Sequence, residues 1–103
     1  MERFVLFFRG GTADKRSERW AQWIETLKQT GILLDSSPLI NDGKIVSENG
    51  GAVRDFTFNV NEHARGFAVI QAKDLDEAVF LSKNCPVFDE GGNVTVRPMK
   101  DSY

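Results

Sequence analysis

Gly66-Phe67-Ala68-Val69-Ile70-Gln71-Ala72 runs without a gap into Lys73-Asp74-Leu75-Asp76-Glu77-Ala78-Val79, and the reading of this stretch decides the fold. Its first half is a nearly continuous apolar run, the mark of a strand covered on both faces. Its second half opens a helix. Asp74 stands in the capping position and Glu77 follows three residues later, which is a capping box with Asp in place of Ser or Thr. Asp76 and Glu77 also suit the positive end of a helix. Leu75, Ala78, Val79 and Ser82 form the expected inward stripe, with Leu81 at its edge, and Pro86 is the expected stop.

Working outward, Phe4 to Phe8 is a second aromatic and β-branched run, closed by Arg9-Gly10-Gly11. Its two faces, Phe4/Leu6/Phe8 and Val5/Phe7, are both apolar, so both should be covered. Residues Thr12 to Thr30 read as a helix, with Thr12 and Asp14 as candidate caps. Trp20, Trp23, Ile24 and Leu27 fall on one stripe, and Gly31 is the expected terminator. Ile32-Leu33-Leu34 starts a strand that Asp35-Ser36-Ser37-Pro38 is expected to interrupt. Asp42-Gly43 between Leu39-Ile40 and Ile45-Val46 reads as a tight hairpin, and Ser47 to Gly51 as a further turn. Val53 to Phe58 reads as short and extended, and Asn59 to Arg65 as a polar loop or helical turn. Near the end, Val94 and Val96 alternate with Asn93, Thr95 and Arg97 in a half-buried strand.

The order strand, helix, strand with hairpin, strand, helix, strand is the βαββαβ pattern of an α+β, ferredoxin-like domain. Two helices cover one face of such an antiparallel sheet. The first and third strands are nevertheless apolar on both faces, so the other face needs a partner. A second copy of the same sheet is the simplest one, and a homodimer is expected.

Bulk composition narrows the function. The chain has 103 residues, 41% hydrophobic and 27% charged, with net charge −2, a single-domain globular composition. The acidic balance argues against direct binding to a nucleic-acid backbone. One cysteine, Cys85, allows no internal disulfide, so a reducing cytoplasmic setting is expected. The apolar run Phe4 to Phe8 is too short for a secretion signal or a membrane span.

Few residues offer chemistry. No phosphate loop, nucleophile elbow or Cys/His metal set is present, and no cofactor is implied. His63 is the one side chain whose ordinary titration lies near neutrality, which makes it the acid–base candidate. Its bland alternative is a solvated loop histidine. Asp55 is the second catalytic candidate, or else a turn residue. Arg9 and Arg97 each end a strand, and together they could clamp a small anion; the alternative is two surface arginines. Trp20 could be part of a ligand platform with Trp23, although the stripe assigns both to the core. Cys85, beside Pro86, reads as packing.

Several stretches together resemble the YCII-related, or DGPF-domain, family of small bacterial proteins. They are Phe7-Phe8-Arg9-Gly10-Gly11, Trp20-x-x-Trp23 with Gly31, Pro38-Leu39, Gly66-Phe67, Asp74 to Ala78, Asn84-Cys85-Pro86 and Gly91 to Pro98. They occur in order over nearly the whole chain. The resemblance implies a dimeric α+β barrel. It does not imply one activity, since relatives include small-molecule enzymes and proteins linked to transcription initiation. The Asp-Gly-Pro-Phe signature is absent; Arg54-Asp55-Phe56-Thr57 stands in its region. The family's suggested His-Asp pair does not map onto an obvious motif here, because His63 is the only histidine. Two functions are therefore expected to compete. One is binding or conversion of a small anionic or aromatic molecule in a cleft. The other is a non-catalytic interaction module, or a scaffold whose site has decayed.

Overall fold

Strand β1 (Glu2–Gly10) and strand β5 (Ala64–Ala72) occupy the middle of a four-stranded sheet, and their side-chain alternation sets everything around them. The computed structural model describes residues 1–11 and 18–103. The remaining elements are α1 (Glu18–Gln29), β2 (Leu33–Pro38), β3 (Lys44–Ser47), β4 (Ala52–Asp55), α2 (Leu75–Ser82), a 3-10 helix (Pro86–Glu90) and β6 (Gly92–Pro98). The sheet order is β2-β5-β1-β6, antiparallel throughout, with β3 and β4 pairing apart as a two-stranded ribbon. This α+β arrangement, a four-stranded antiparallel sheet with two helices, is compatible with a ferredoxin-like fold.

Successive side chains on a strand point to opposite faces. Phe4, Leu6 and Phe8 of β1 and Ala68, Ile70 and Ala72 of β5 all point one way and are buried. Trp23 and Leu27 of α1, Ala78 of α2, Cys85 and Val87 complete this core, with Trp20, Ile24, Leu81, Val94 and Val96 packed at its margin. The stripe read for α1 is therefore its inward face. The caps read for it, Thr12 and Asp14, lie outside the described residues. Val5 and Phe7 of β1 and Phe67 and Val69 of β5 point to the opposite face, where they are only half-buried.

Both helix signals act as the sequence suggests. Gly31 adopts φ 74°. Its N–H donates to the Lys28 carbonyl and the Ile32 N–H to the Leu27 carbonyl, at 3.0 Å each, the paired bonds of a Schellman motif. At α2, the Glu77 N–H donates to Asp74 Oδ1 at 2.9 Å, and Glu77 Oε1 accepts from the Lys73 N–H at 3.0 Å. The reciprocal bond thus reaches one residue further back than in the usual box.

Four expectations are corrected. Strand β2 runs through Asp35-Ser36-Ser37 rather than stopping there, because its backbone groups pair with β5 and an edge strand tolerates polar side chains. Asp42-Gly43 is not a hairpin turn. The Leu39 N–H is committed to the Arg65 carbonyl, so Leu39-Ile40 cannot pair with Ile45-Val46. The hairpin instead joins β3 to β4 through the turn expected over Ser47 to Gly51, where the Gly51 N–H donates to the Glu48 carbonyl at 3.0 Å across Asn49 and Gly50 at φ 59° and 81°, the positive values that a primed hairpin turn requires. On α2, Leu75 and Val79 are exposed, and Ala78, Leu81 and Ser82 face inward. Ser82 is tolerated there because its hydroxyl donates to the Val79 carbonyl. Finally, α2 ends at Ser82, and Pro86 opens the 3-10 helix instead of closing α2, a first-turn position that suits its missing N–H.

The β3–β4 ribbon packs on no other described strand or helix. It accounts for a radius of gyration of 15.0 Å, above the roughly 13 Å of a compact domain of about 100 residues.

Where β6 begins, the backbone passes so close to β1 that a Cβ on Gly92 would lie 2.4 Å from the Arg9 carbonyl oxygen and 2.5 Å from Val87 Cγ2. Gly92→Ala should therefore cost about 1–3 kcal/mol of stability. The expected fall in melting temperature is roughly 5–20 °C, checked by thermal unfolding followed by circular dichroism.

Candidate functional site

Arg9 is the candidate that the structure treats most specifically. It sits near the end of β1 on the face away from the helices. Its Nη1 donates to Thr95 Oγ1 at 2.7 Å, and its guanidinium carbon lies 5.8 Å from the centre of the Phe7 ring. Its Nε is shielded from solvent and has no acceptor among the described residues. A shielded donor without a partner is costly, of order 1–3 kcal/mol.

Arg97 shares this face but does not stand beside Arg9. Arg9 pairs with Asn93 across the β1–β6 ladder, whereas Arg97 pairs with Val5. Neighbouring antiparallel strands end at opposite edges of a sheet. Two residues that each close a strand are therefore far apart, here by four positions or about 14 Å along the strands. The two-arginine clamp at adjoining strand ends is not formed. Arg97 is exposed, with no hydrogen-bond or ion-pair partner among the described residues.

Trp20 is not a ligand platform. Its ring meets Phe8 edge-on at 5.1 Å and Trp23 at 6.0 Å. Its Nε1–H donates to Glu90 Oε2 at 3.1 Å. The same oxygen accepts from Arg65 Nη2 at 2.7 Å, and the Arg65 guanidinium stands 5.7 Å from the Trp20 ring. This Trp20–Glu90–Arg65 cluster was not foreseen from the sequence. Phe8 pairs with Gly66 and Arg9 with Ala64, which leaves Arg65 as the extra residue of a β-bulge. Bulges re-aim side chains, and this one turns a strand arginine toward Trp20 and Glu90. The available signal was a charged residue directly abutting an apolar strand.

Asp55 and His63 are occupied separately. Asp55, exposed at the end of β4, is ion-paired with Lys44 across the ribbon. His63 lies edge-on to Phe56 at 4.6 Å, and its Nδ1 accepts the Asn59 N–H at 2.9 Å. The contacts that fix each group are different, and a catalytic His-Asp pair is not formed by them.

Burial pushes the Cys85 thiol up to about 11, the Val87 backbone hydrogen bond and, less so, the nearby Arg65 only partly offsetting it. The reactive thiolate is thus scarce at neutral pH. Among the described residues, no three His, Cys, Asp or Glu side chains converge as metal ligands. No helix among them is long and apolar enough to cross a membrane. A shallow hollow lined by Ala21, Gln22, Glu25 and Thr26 lies on the outer side of α1 and involves none of the candidate residues.

Comparison with protein-family models returns no match, and no curated protein matches the chain. Family membership therefore rests on the sequence resemblance alone and is taken up below as a proposal.

Two outcomes follow. The Arg65 and Glu90 side chains are only 12% and 15% exposed, so Glu90→Ala, which strands Arg65 and the Trp20 N–H, should cost about 3–5 kcal/mol. The double change Arg65→Leu with Glu90→Leu should recover part of that loss, read as denaturant midpoints. Cys85 should resist alkylation at pH 8 in the native protein and react readily in urea. Its raised pKa also favours the folded state below pH 9. That contribution is lost as pH rises from 9 through about 11, because the unfolded chain gives up the proton first. Cys85→Ala should flatten the stability profile in that window.

Proposed function

We propose that the chain is a cytoplasmic, YCII-related (DGPF-like) protein that works as a homodimer. In this reading two ferredoxin-like βαββαβ units close into a dimeric α+β barrel and hold a small anionic or aromatic molecule beside Arg9. One observation carries it. The sheet face left open by the helices is apolar at its centre, through Val5, Phe7, Phe67 and Val69, and holds the half-buried Arg9, whose shielded Nε has no acceptor among the described residues. A carboxylate or similar anion supplies what that donor lacks, and Phe7 and Phe67 offer ring faces to an aromatic body. Covering these half-buried side chains with a second sheet removes further apolar area from water, at about 25 cal/mol per Å².

No reaction is assigned, because His63 and Asp55 are each committed to local contacts. The competing reading, a non-catalytic interaction module associated with transcription or a scaffold with a decayed site, draws on a different observation. Leu39, Ile40, Val46 and Val53 are exposed along the β2–β3 connection and the projecting ribbon, an apolar surface of the kind that marks contact sites.

Native mass spectrometry separates the two. A dimer that retains added mass, lost in Arg9→Ala without loss of the dimer, is the expected result. A bare dimer, equally bare in both proteins, favours the interaction module. His63→Ala should leave retention of the bound molecule within about twofold, since its ring contacts Phe56 and the Asn59 N–H and, among the described residues, makes no direct contact with Arg9.

A further inference from the structure

The open sheet face carries a row of four side chains that crosses all four strands at one level. Asp35 pairs with Val69, Val69 with Val5, and Val5 with Arg97. The row therefore reads Asp35, Val69, Val5, Arg97 from the β2 edge to the β6 edge, acidic at one end and basic at the other. The next row reads Ser37, Phe67, Phe7, Thr95. Asp35 and Arg97 are both exposed. Three strand spacings, about 14 Å, separate them, too far for an ion pair within one protomer. Asp35 Oδ1 accepts only the adjacent Ser36 N–H, at 2.8 Å, and Arg97 has no partner among the described residues.

We infer that a second copy of this chain covers the face about a two-fold axis lying between the sheets and parallel to the strands, so that Asp35 pairs with the partner's Arg97 and Arg97 with the partner's Asp35. The inference rests on the homodimer proposed above and adds its geometry. Such an axis carries each sheet edge over the opposite edge of the other copy. The row is then self-complementary at every position: acid over base at both ends, and Val5 over the partner's Val69 between them. In the second row Phe7 meets the partner's Phe67, and Ser37 the partner's Thr95. The other in-plane axis, perpendicular to the strands, sets like edges together, β2 over the partner's β2 and β6 over the partner's β6, so that no Asp35 meets an Arg97 and, where the axis crosses this row, like charges face each other. Like charges brought together at an interface are strongly disfavoured, so the charge order selects the first axis. Packed sheets stand about 10 Å apart, a gap that an aspartate and an arginine extended toward each other can bridge. The aligned packing angle of about 30° offsets the edges by about 4 Å, within the reach of an arginine side chain.

Charge reversal tests the pairing, with sedimentation equilibrium as the readout and circular dichroism as the check on folding. Asp35→Arg alone and Arg97→Asp alone should each weaken the wild-type dimer about tenfold or more, and increasingly so at low salt. The double variant, Asp35→Arg with Arg97→Asp, should return to within about threefold of wild type. A mixture of the two single variants should form a heterodimer tighter than either homodimer. A wild-type dimer whose single variants associate as tightly as it does would overturn the pairing while leaving the homodimer standing. A wild-type protein that stays monomeric at micromolar concentration would overturn the homodimer, and the pairing with it.

Discussion

The structure depends on the alternation of side chains along β1 and β5, the two strands at the centre of the sheet. Both strands are apolar in both directions, and the protomer supplies helices for one direction only. Phe4, Leu6, Phe8, Ala68 and Ile70 are thereby taken out of water, while Val5, Phe7, Phe67 and Val69 are left half covered. Period-two geometry permits no compromise between the faces, because a one-residue slip would exchange the two sets entirely. The buried set fixes the register. Once the register is fixed, the rows on the open face follow without further choice, including the acid-to-base order of Asp35 and Arg97.

Much of this frame was legible in the residues, and the misses have specific physical causes. The central strands, the α1 stripe, the Gly31 stop and the Asp74–Glu77 cap were readable because each rests on local spacing or local hydrogen bonding. Strand β2 was misjudged at Asp35 to Ser37 because an edge strand is held by its neighbour's backbone, which leaves no apolar signature in its own side chains. Asp42-Gly43 was misjudged because turn chemistry is only a preference. The distant Arg65 carbonyl claims the Leu39 N–H, and the hairpin forms instead at the second turn read from the sequence, Ser47 to Gly51, across Asn49-Gly50. The inward face of α2 was rotated in the reading. In so short a helix, Leu75 and Val79 fit the stripe as well as Leu81 does, and only packing against β6, β5 and β1 decides between them.

The candidate site was less legible than the fold, and the reason is the same in each case. A residue type announces what it could do, whereas its tertiary partners decide whether it is free to do it. Trp20 has the form of a ligand platform, but Glu90 and Phe8 hold it against the margin of the core. Arg9 and Arg97 looked adjacent because both close strands, and antiparallel direction sends those ends apart. Arg65 drew no attention because only the bulge between Phe8/Gly66 and Arg9/Ala64 turns it toward Glu90. A bulge of this kind is a property of two strands at once and leaves no mark in either strand read singly.

These assignments change where chemistry should be sought. A functional site needs groups that are positioned but not consumed by the protein's own structure. His63 gives its Nδ1 to the Asn59 N–H, Asp55 is held by Lys44, Glu90 accepts from both Arg65 and Trp20, and the Cys85 thiol is buried and protonated. Among the described residues, the Arg9 Nε, the Arg97 guanidinium and one oxygen of Asp35 are uncommitted on the open sheet face, and the Arg65 Nε, beside Trp20 and Glu90, is a further shielded donor without an acceptor. That face is also where apolar side chains still meet water. Hydrophobic covering and polar satisfaction thus make the same demand at the same place. The second sheet proposed above would answer the first and, through its edges, would pair Asp35 with Arg97. It does not by itself give the Arg9 Nε an acceptor, because the residue opposite Arg9 in such a dimer is the partner's Ala64, a small apolar side chain with no acceptor in it. The space beside that alanine is where the dimer, once closed, would still want an anion.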